Sequence, residues 1–152
     1  KAIMAAGASS NLILADEQAL DTPMDYESVQ DRLGTPLGSA SVIILDDSVN
    51  VAWLVNKTVG FFKHESCGKC TPCREGTYWM AHITRRIAAG TATAEDVELL
   101  NNVAHQIQGK CLCALGEFST MAVTSGIARF RSDFEALLGA PVKEEKLTSV
   151  AQ

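Results

Sequence analysis

Cys67, Cys70 and Cys73 stand at the spacing C-x2-C-x2-C, and Cys113 follows forty residues after the third. Three thiols this close can face one compact cofactor, and a fourth ligand can arrive from elsewhere in the fold. That pattern suits an iron–sulfur cluster held by four thiolates. A structural zinc site is the rival. Zinc usually takes two C-x2-C pairs, or a Cys pair with a His pair. Here the distal thiols, Cys111 and Cys113, form C-x-C, and His64, His82 and His105 do not stand at ligand spacing from one another. The spacing therefore favours the cluster and leaves zinc as the alternative. By spacing alone either Cys111 or Cys113 can be the fourth ligand. The other is expected to pack as a small hydrophobic residue. Five is an odd number of cysteines, and the opening residues show no secretory pattern, so a disulfide framework is not expected.

The residues between the thiols fit the same chemistry. Gly68 lets the backbone approach closely between the first two ligands. Pro72 stiffens the entry to a helix whose first turn holds Cys73, where free N–H groups favour negative charge. Lys69 and Arg74 flank the thiolates; they either offset cluster charge or are solvated surface. His64 either tunes the cluster or is an ordinary helix-end residue, the second reading being favoured. Trp53 and Trp79 read as core or interface residues rather than electron relays.

The elements that must position these residues follow from pattern. Residues 2–6, 11–14 and 41–45 read as short strands, with a helix over residues 25–33 closed by Gly34. From about Ser48 the apolar period changes from two to 3.6. Ala52, Val55, Val59 and Phe62 mark the inner face of a first long helix. A second opens with Thr71 as cap and Pro72, carries Trp79, Met80, Ile83 and Ile87 inward, and ends at Gly90. A third spans about residues 94–108, capped by Thr93, with Val97, Leu100, Ala104 and Ile107 inward and Gly109 after its end. A fourth spans about residues 116–130, with Phe118, Met121, Ala122 and Ser125 buried. Ser132 to Glu135 reads as a capping box opening a short helix that Gly139 closes. The expected architecture is α+β: a small α/β unit at residues 1–48, a four-helix bundle at residues 49–139, and a polar tail at residues 140–152. In an up-down bundle the loop with Cys67 and Cys70 and the loop with Cys111 and Cys113 lie at the same end.

Composition sets further bounds. The 152 residues are 47% apolar with a formal charge of −5, which gives no reason to expect nucleic acid or an anionic membrane as partner. No apolar run reaches the ~18 residues of a spanning helix, so direct membrane insertion is not expected. The chain opens at Lys1 on an apolar, strand-like run, and is expected to be the C-terminal portion of a longer polypeptide.

The run Glu65-Ser66-Cys67-Gly68-Lys69-Cys70-Thr71-Pro72-Cys73-Arg74-Glu75-Gly76 matches the signature ESCGxCxPCRxG. It resembles the NADH-oxidising, flavin-bearing F-type subunit of respiratory complex I, whose relatives serve as diaphorase subunits of NAD-linked hydrogenases and formate dehydrogenases. Leu20 to Tyr26 (LDTPMDY) and Leu37 to Ala40 (LGSA) resemble that subunit's β-grasp-like (SLBB) domain. Cys113-Ala114-Leu115-Gly116-Glu117 resembles the segment bearing the fourth ligand, with Glu117 where Asp is usual. Ile127-Ala128-Arg129-Phe130-Arg131 resembles the last helix, so the likeness covers roughly residues 1–140.

The resemblance implies a partial SLBB unit followed by a bundle with one 4Fe–4S cluster on Cys67, Cys70, Cys73 and Cys113. It leaves Cys111 where Thr or Ser is more usual, and argues against zinc. It implies an electron relay in an NADH:quinone oxidoreductase, from FMN through the cluster to the next iron–sulfur subunit. The family's glycine-rich run is missing here, Gly7 being isolated, so the FMN and NADH sites are expected in an N-terminal flavin domain outside this segment. The implied partners are that domain and the adjacent iron–sulfur subunits. The implied location is peripheral, on the cytoplasmic face of a bacterial inner membrane or the matrix side in mitochondria.

Overall fold

The computed structural model describes residues 1–139; the expected polar tail lies outside the described residues. Three strands, β1 (Ala2–Ala8), β2 (Leu12–Leu14) and β3 (Ile43–Leu45), form an antiparallel sheet in the order β2-β1-β3. Ile3 pairs with Ile13 on one side and Ile44 on the other. Two short helices, α1 (Glu17–Leu20) and α2 (Tyr26–Leu33), lie between β2 and β3. Four long helices follow: α3 (Val51–Glu65), α4 (Thr71–Ala88), α5 (Ala94–Ile107) and α6 (Ala114–Arg129), with α7 (Arg131–Glu135) last. The chain is thus helical with a small three-stranded sheet.

Alternation along β1 sends its side chains to two cores. Ala2 and Met4 join Leu12, Leu45 and the apolar faces of the long helices. Ala5 and Ile3 pack instead with Ile13, Ala19, Val29 and Leu37 beneath α1 and α2. Helix α3 packs on α4, α4 on α5, α5 on α6, and α6 returns to α3. Val55, Val59, Met80, Ile87, Leu100, Ala104, Ala122 and Val123 fill the space between them. Among the described residues no helix is long and apolar enough to cross a membrane.

Local chemistry corrects several expected boundaries and faces. Helix α3 starts at Val51, not near Ser48, because Asp46 captures the Ser48 N–H at 2.9 Å in a turn and Asn50 accepts from Trp53 N at 3.0 Å as the cap. The four-residue α1, capped by Asp16, is too short to show a period. Trp79 is not on the inner face of α4 but 54% exposed. Thr77 and Thr84 take the inner positions, their hydroxyls bonded to Cys73 O at 2.7 Å and Ala81 O at 3.3 Å.

Helix α6 differs similarly. Phe118 and Met121 are half-buried, while Gly116, Ser119, Thr120, Ala122, Val123, Ser125, Gly126 and Ile127 form the buried side. Small residues allow close approach, and buried hydroxyls return bonds to their own helix, Ser119 to Gly116 O at 2.7 Å. The Ser132–Glu135 capping box does not form. Phe130 caps α7, and Asp133 reaches away to Val51 N and Lys1 Nζ. The expected capping of α5 by Thr93 is present, as a reciprocal box with Asp96.

Candidate metal centre

Helices α4 and α6 both begin at a cysteine. Cys70 is the N-cap of α4 and Cys113 the N-cap of α6, and neither makes a side-chain capping bond. Thr71, the expected cap, is instead the first helical residue, with Pro72 second and Cys73 third. N-caps are normally Ser, Thr, Asp or Asn, whose oxygens satisfy orphan N–H groups. A thiol at this position in two helices breaks the local rule, and such breaks mark functional sites.

The two loops meet. The backbone N–H of Leu112, between Cys111 and Cys113, donates to Cys70 Sγ at 3.3 Å across 42 positions. Cys73 is buried in the first turn of α4, with Ser66 Oγ 3.3 Å from its sulfur. Cys70 is half-buried, and Cys67 and Cys113 are exposed. Gly68 adopts φ +75°, the left-handed conformation that glycine tolerates, and its carbonyl accepts from Arg74 Nη1 at 2.8 Å. Arg74 also pairs with Glu75 at 2.8 Å, so it braces the cysteine loop as well as carrying charge.

Cys111 behaves differently from the other four thiols. It packs against the main core, its sulfur 3.8 Å from Ile107 O. A β-carbon on Gly116 would come within 2.6 Å of its Cβ. Burial pushes its thiol above the ordinary range, and Cys73, Cys70, Glu117 and Cys113 push it further. The carboxylate of Glu117 accepts the Gly109 N–H at 2.5 Å, tying the start of this loop to α6. Sequence reasoning noted Glu117 only as a departure from Asp; its role as a loop anchor emerges from geometry.

The donor chemistry suits an iron–sulfur cluster. Two helix N-termini present partial positive charge beside the thiols, where a four-thiolate cluster carries negative charge. The histidines have other partners: His64 is 86% exposed beside Glu65, the His82 ring lies 4.4 Å from that of Tyr78 at a 56° tilt, and His105 contacts Asn101 O at 2.8 Å. Among the described residues no three Cys, His, Asp or Glu side chains converge as a single ion requires. A four-iron cluster takes each thiolate on a different iron, so its ligands stand further apart than those around one zinc ion.

Comparison with known proteins gives the same chemistry. Residues 53–137 match the family described as the NADH-ubiquinone oxidoreductase-F iron-sulfur binding region. The F-type subunit of NADH-quinone oxidoreductase from Streptomyces coelicolor is 40% identical over 95% of this chain and 32% of its own length. Its counterpart in Mycobacterium bovis is 43% identical over 86% of this chain and 29% of its own. The mitochondrial 51 kDa subunit of NADH-ubiquinone oxidoreductase from Aspergillus niger is 36% identical over 91% of this chain and 28% of its own. The chain thus spans about a third of the length of these curated relatives. Among solved structures, an NAD+-reducing NiFe-hydrogenase in its H2-reduced state aligns with TM-score 0.79 and 33% identity, over 90% of this chain and 23% of that one. The family match covers the paired cysteine loops and all four long helices apart from the first two residues of α3, and on it the chain belongs to the NADH-ubiquinone oxidoreductase-F iron-sulfur binding region family, whose cofactor is a 4Fe–4S cluster.

Proposed function

We propose that this chain is the electron-relay portion of an NADH-oxidising flavoprotein subunit of complex I, with Cys67, Cys70, Cys73 and Cys113 as cluster ligands. One observation carries the reading: two helices capped by cysteines start at one place, joined by the Leu112–Cys70 contact. When bound, the cluster supplies one-electron storage and release. The chain's own residues set its surroundings. Cys73 anchors it from the buried side, and Arg74 and Gly68 fix the loop of Cys67 and Cys70. Glu117 fixes the loop of Cys113. The two helix N-termini favour its charge.

On this reading residues 1–48 are part of an SLBB-like domain and residues 49–139 a four-helix-bundle cluster domain. FMN and NADH bind in the N-terminal flavin domain of the parent protein. The electron leaves to an adjacent iron–sulfur subunit, and the assembly sits peripherally on the cytoplasmic face of the inner membrane, or the matrix side in mitochondria. The names of the relatives, all subunits of NADH oxidoreductases, support this parent. The likeness to an NAD+-reducing hydrogenase supports a second reading, a diaphorase subunit of such an enzyme.

Anaerobic purification of the full protein tests the cluster. About four irons per chain and an EPR signal after dithionite reduction are expected. Zinc in place of iron, with no signal after reconstitution, overturns the reading. A mass-spectrometric inventory of the purified complex separates the two parents by their neighbouring subunits.

A further inference from the structure

The bond from Leu112 to Cys70 is made by the backbone, while Leu112 as a whole is 81% exposed, the most exposed of the large hydrophobic residues described. The side chain thus contributes nothing to the core, yet its amide is aimed at a cysteine sulfur of the opposite loop. Cys70 is half-buried and Leu112 N lies 3.3 Å from its sulfur. Ser66 Oγ, at the end of α3, lies 3.3 Å from the sulfur of Cys73 in the first turn of α4. A hydrogen bond to a thiolate sulfur is charge-assisted and draws electron density from it. It stabilises the more negative, reduced state of a cluster more than the oxidised one. Hydrogen bonds to the sulfurs are among the factors that set cluster potential.

We infer that the Leu112 amide is a potential-setting group: its N–H···S bond to Cys70 raises the reduction potential of the cluster, and position 112 acts through its backbone alone. This rests on the ligand reading above. The change it governs is uptake of one electron by the cluster, from the reduced flavin of the proposed parent or from dithionite in the titration, with no bond made or broken in the chain.

The test is a redox titration followed by EPR on the full protein and two variants. Leu112→Ala keeps the N–H and is expected to titrate as the unaltered protein does. Leu112→Pro removes it and is expected to titrate at a lower potential. Equal potentials in all three, or an equal shift in both variants, overturn the inference. Because Leu112→Pro can fail to take up a cluster, a second measurement uses protein labelled with nitrogen-15 leucine. A nitrogen-15 coupling in the pulsed EPR spectrum of the reduced cluster is expected, and is expected to vanish in labelled Leu112→Ala, which lacks the label but keeps the bond. No coupling in the unaltered protein overturns the inference. A protein that takes up no cluster at all overturns the ligand reading beneath it, and is distinguished by iron content.

Discussion

Gly76 of α4 faces Ile107 of α5 so closely that a β-carbon on Gly76 would lie 2.6 Å from both Cγ1 and Cδ1 of that isoleucine. Ile107 is buried at the last residue of α5, just before the loop of Cys111 and Cys113, and Gly76 stands one turn beyond Cys73. The last glycine of the cysteine signature therefore leaves the room that the Ile107 side chain fills at the end of α5. Gly76→Ala is expected to destabilise the fold by about 1–3 kcal/mol, the usual cost of overpacking a filled core. The cost falls short of that only by the part of helix propensity that alanine regains. Urea unfolding of the variant checks the first expectation. Faster iron loss to a chelator than in the unaltered protein checks its effect on the loops.

Asp133 supplies the second prediction. Its carboxylate accepts from Val51 N at 2.6 Å and from Lys1 Nζ at 2.6 Å, joining the start of α3, the start of β1 and the short α7. It serves α3 in the manner of a cap, from 82 residues away. Asp133→Ala leaves the partly buried Val51 N–H without its acceptor and is expected to cost about 1–3 kcal/mol. Asp133→Asn keeps an acceptor oxygen and is expected to cost less. Thermal unfolding of the two variants checks the order, and an Asn variant as unstable as the Ala variant would assign the effect to charge rather than to the hydrogen bond.

The two distal cysteines are separated by their surroundings. Cys111 packs on the core beside Gly116, and Cys113 is exposed at the N-cap of α6. Cys111→Ser is expected to retain the cluster, with some loss of stability from placing a hydroxyl where a thiol packed. Cys113→Ser is expected to lose the cluster or to hold it weakly. Iron per chain after anaerobic purification decides, and equal loss in both variants would refute the assignment of Cys113.

Much of this site was legible because its determinants are local. Spacing singled out Cys67, Cys70 and Cys73, and helix periodicity brought the loop of Cys113 to the same end, as the Leu112–Cys70 bond now records. The inner faces of α3 and α5 were legible for the same reason: Val55, Val59, Leu100 and Ala104 follow a strict apolar period and are buried. Helix α6 was legible only in part: Ala122 and Ser125 are buried as expected, but Phe118 and Met121 are not, because much of the buried face is Gly116, Ser119, Thr120 and Gly126, which carry no hydrophobic signal. Ser125 is buried because it accepts the Leu12 N–H at 2.8 Å from the sheet, a partner 113 positions away. The capping box expected at Ser132 failed because the helix begins two residues earlier, with Phe130 as its cap, and the Glu135 carboxylate pairs instead with Arg131 at 3.0 Å. Long-range hydrogen bonds to backbone groups leave no trace in a local pattern.

Glu117 lies in the segment proposed to bear the fourth ligand, where the family resemblance implies Asp, and its carboxylate accepts the Gly109 N–H. Gly109 has φ +71° and begins the turn that leads to Cys111 and Cys113, so this bond fixes where the loop leaves α5. Gln108 adds a second tie, its amide donating to Thr120 Oγ1 at 3.1 Å. Glu117→Ala removes the first tie while leaving every cysteine in place. Its effect is expected on cluster retention rather than on the amount first bound: reconstituted iron close to that of the unaltered protein, but released several-fold faster to a chelator, as for loss of an outer partner that orients a ligand. Glu117→Gln keeps an acceptor for Gly109 and is expected to release iron at an intermediate rate. Chelator kinetics followed by bleaching of the cluster absorbance measure all three. A Gln variant as labile as Ala would mean that the negative charge of Glu117, not its hold on Gly109, is what the loop needs.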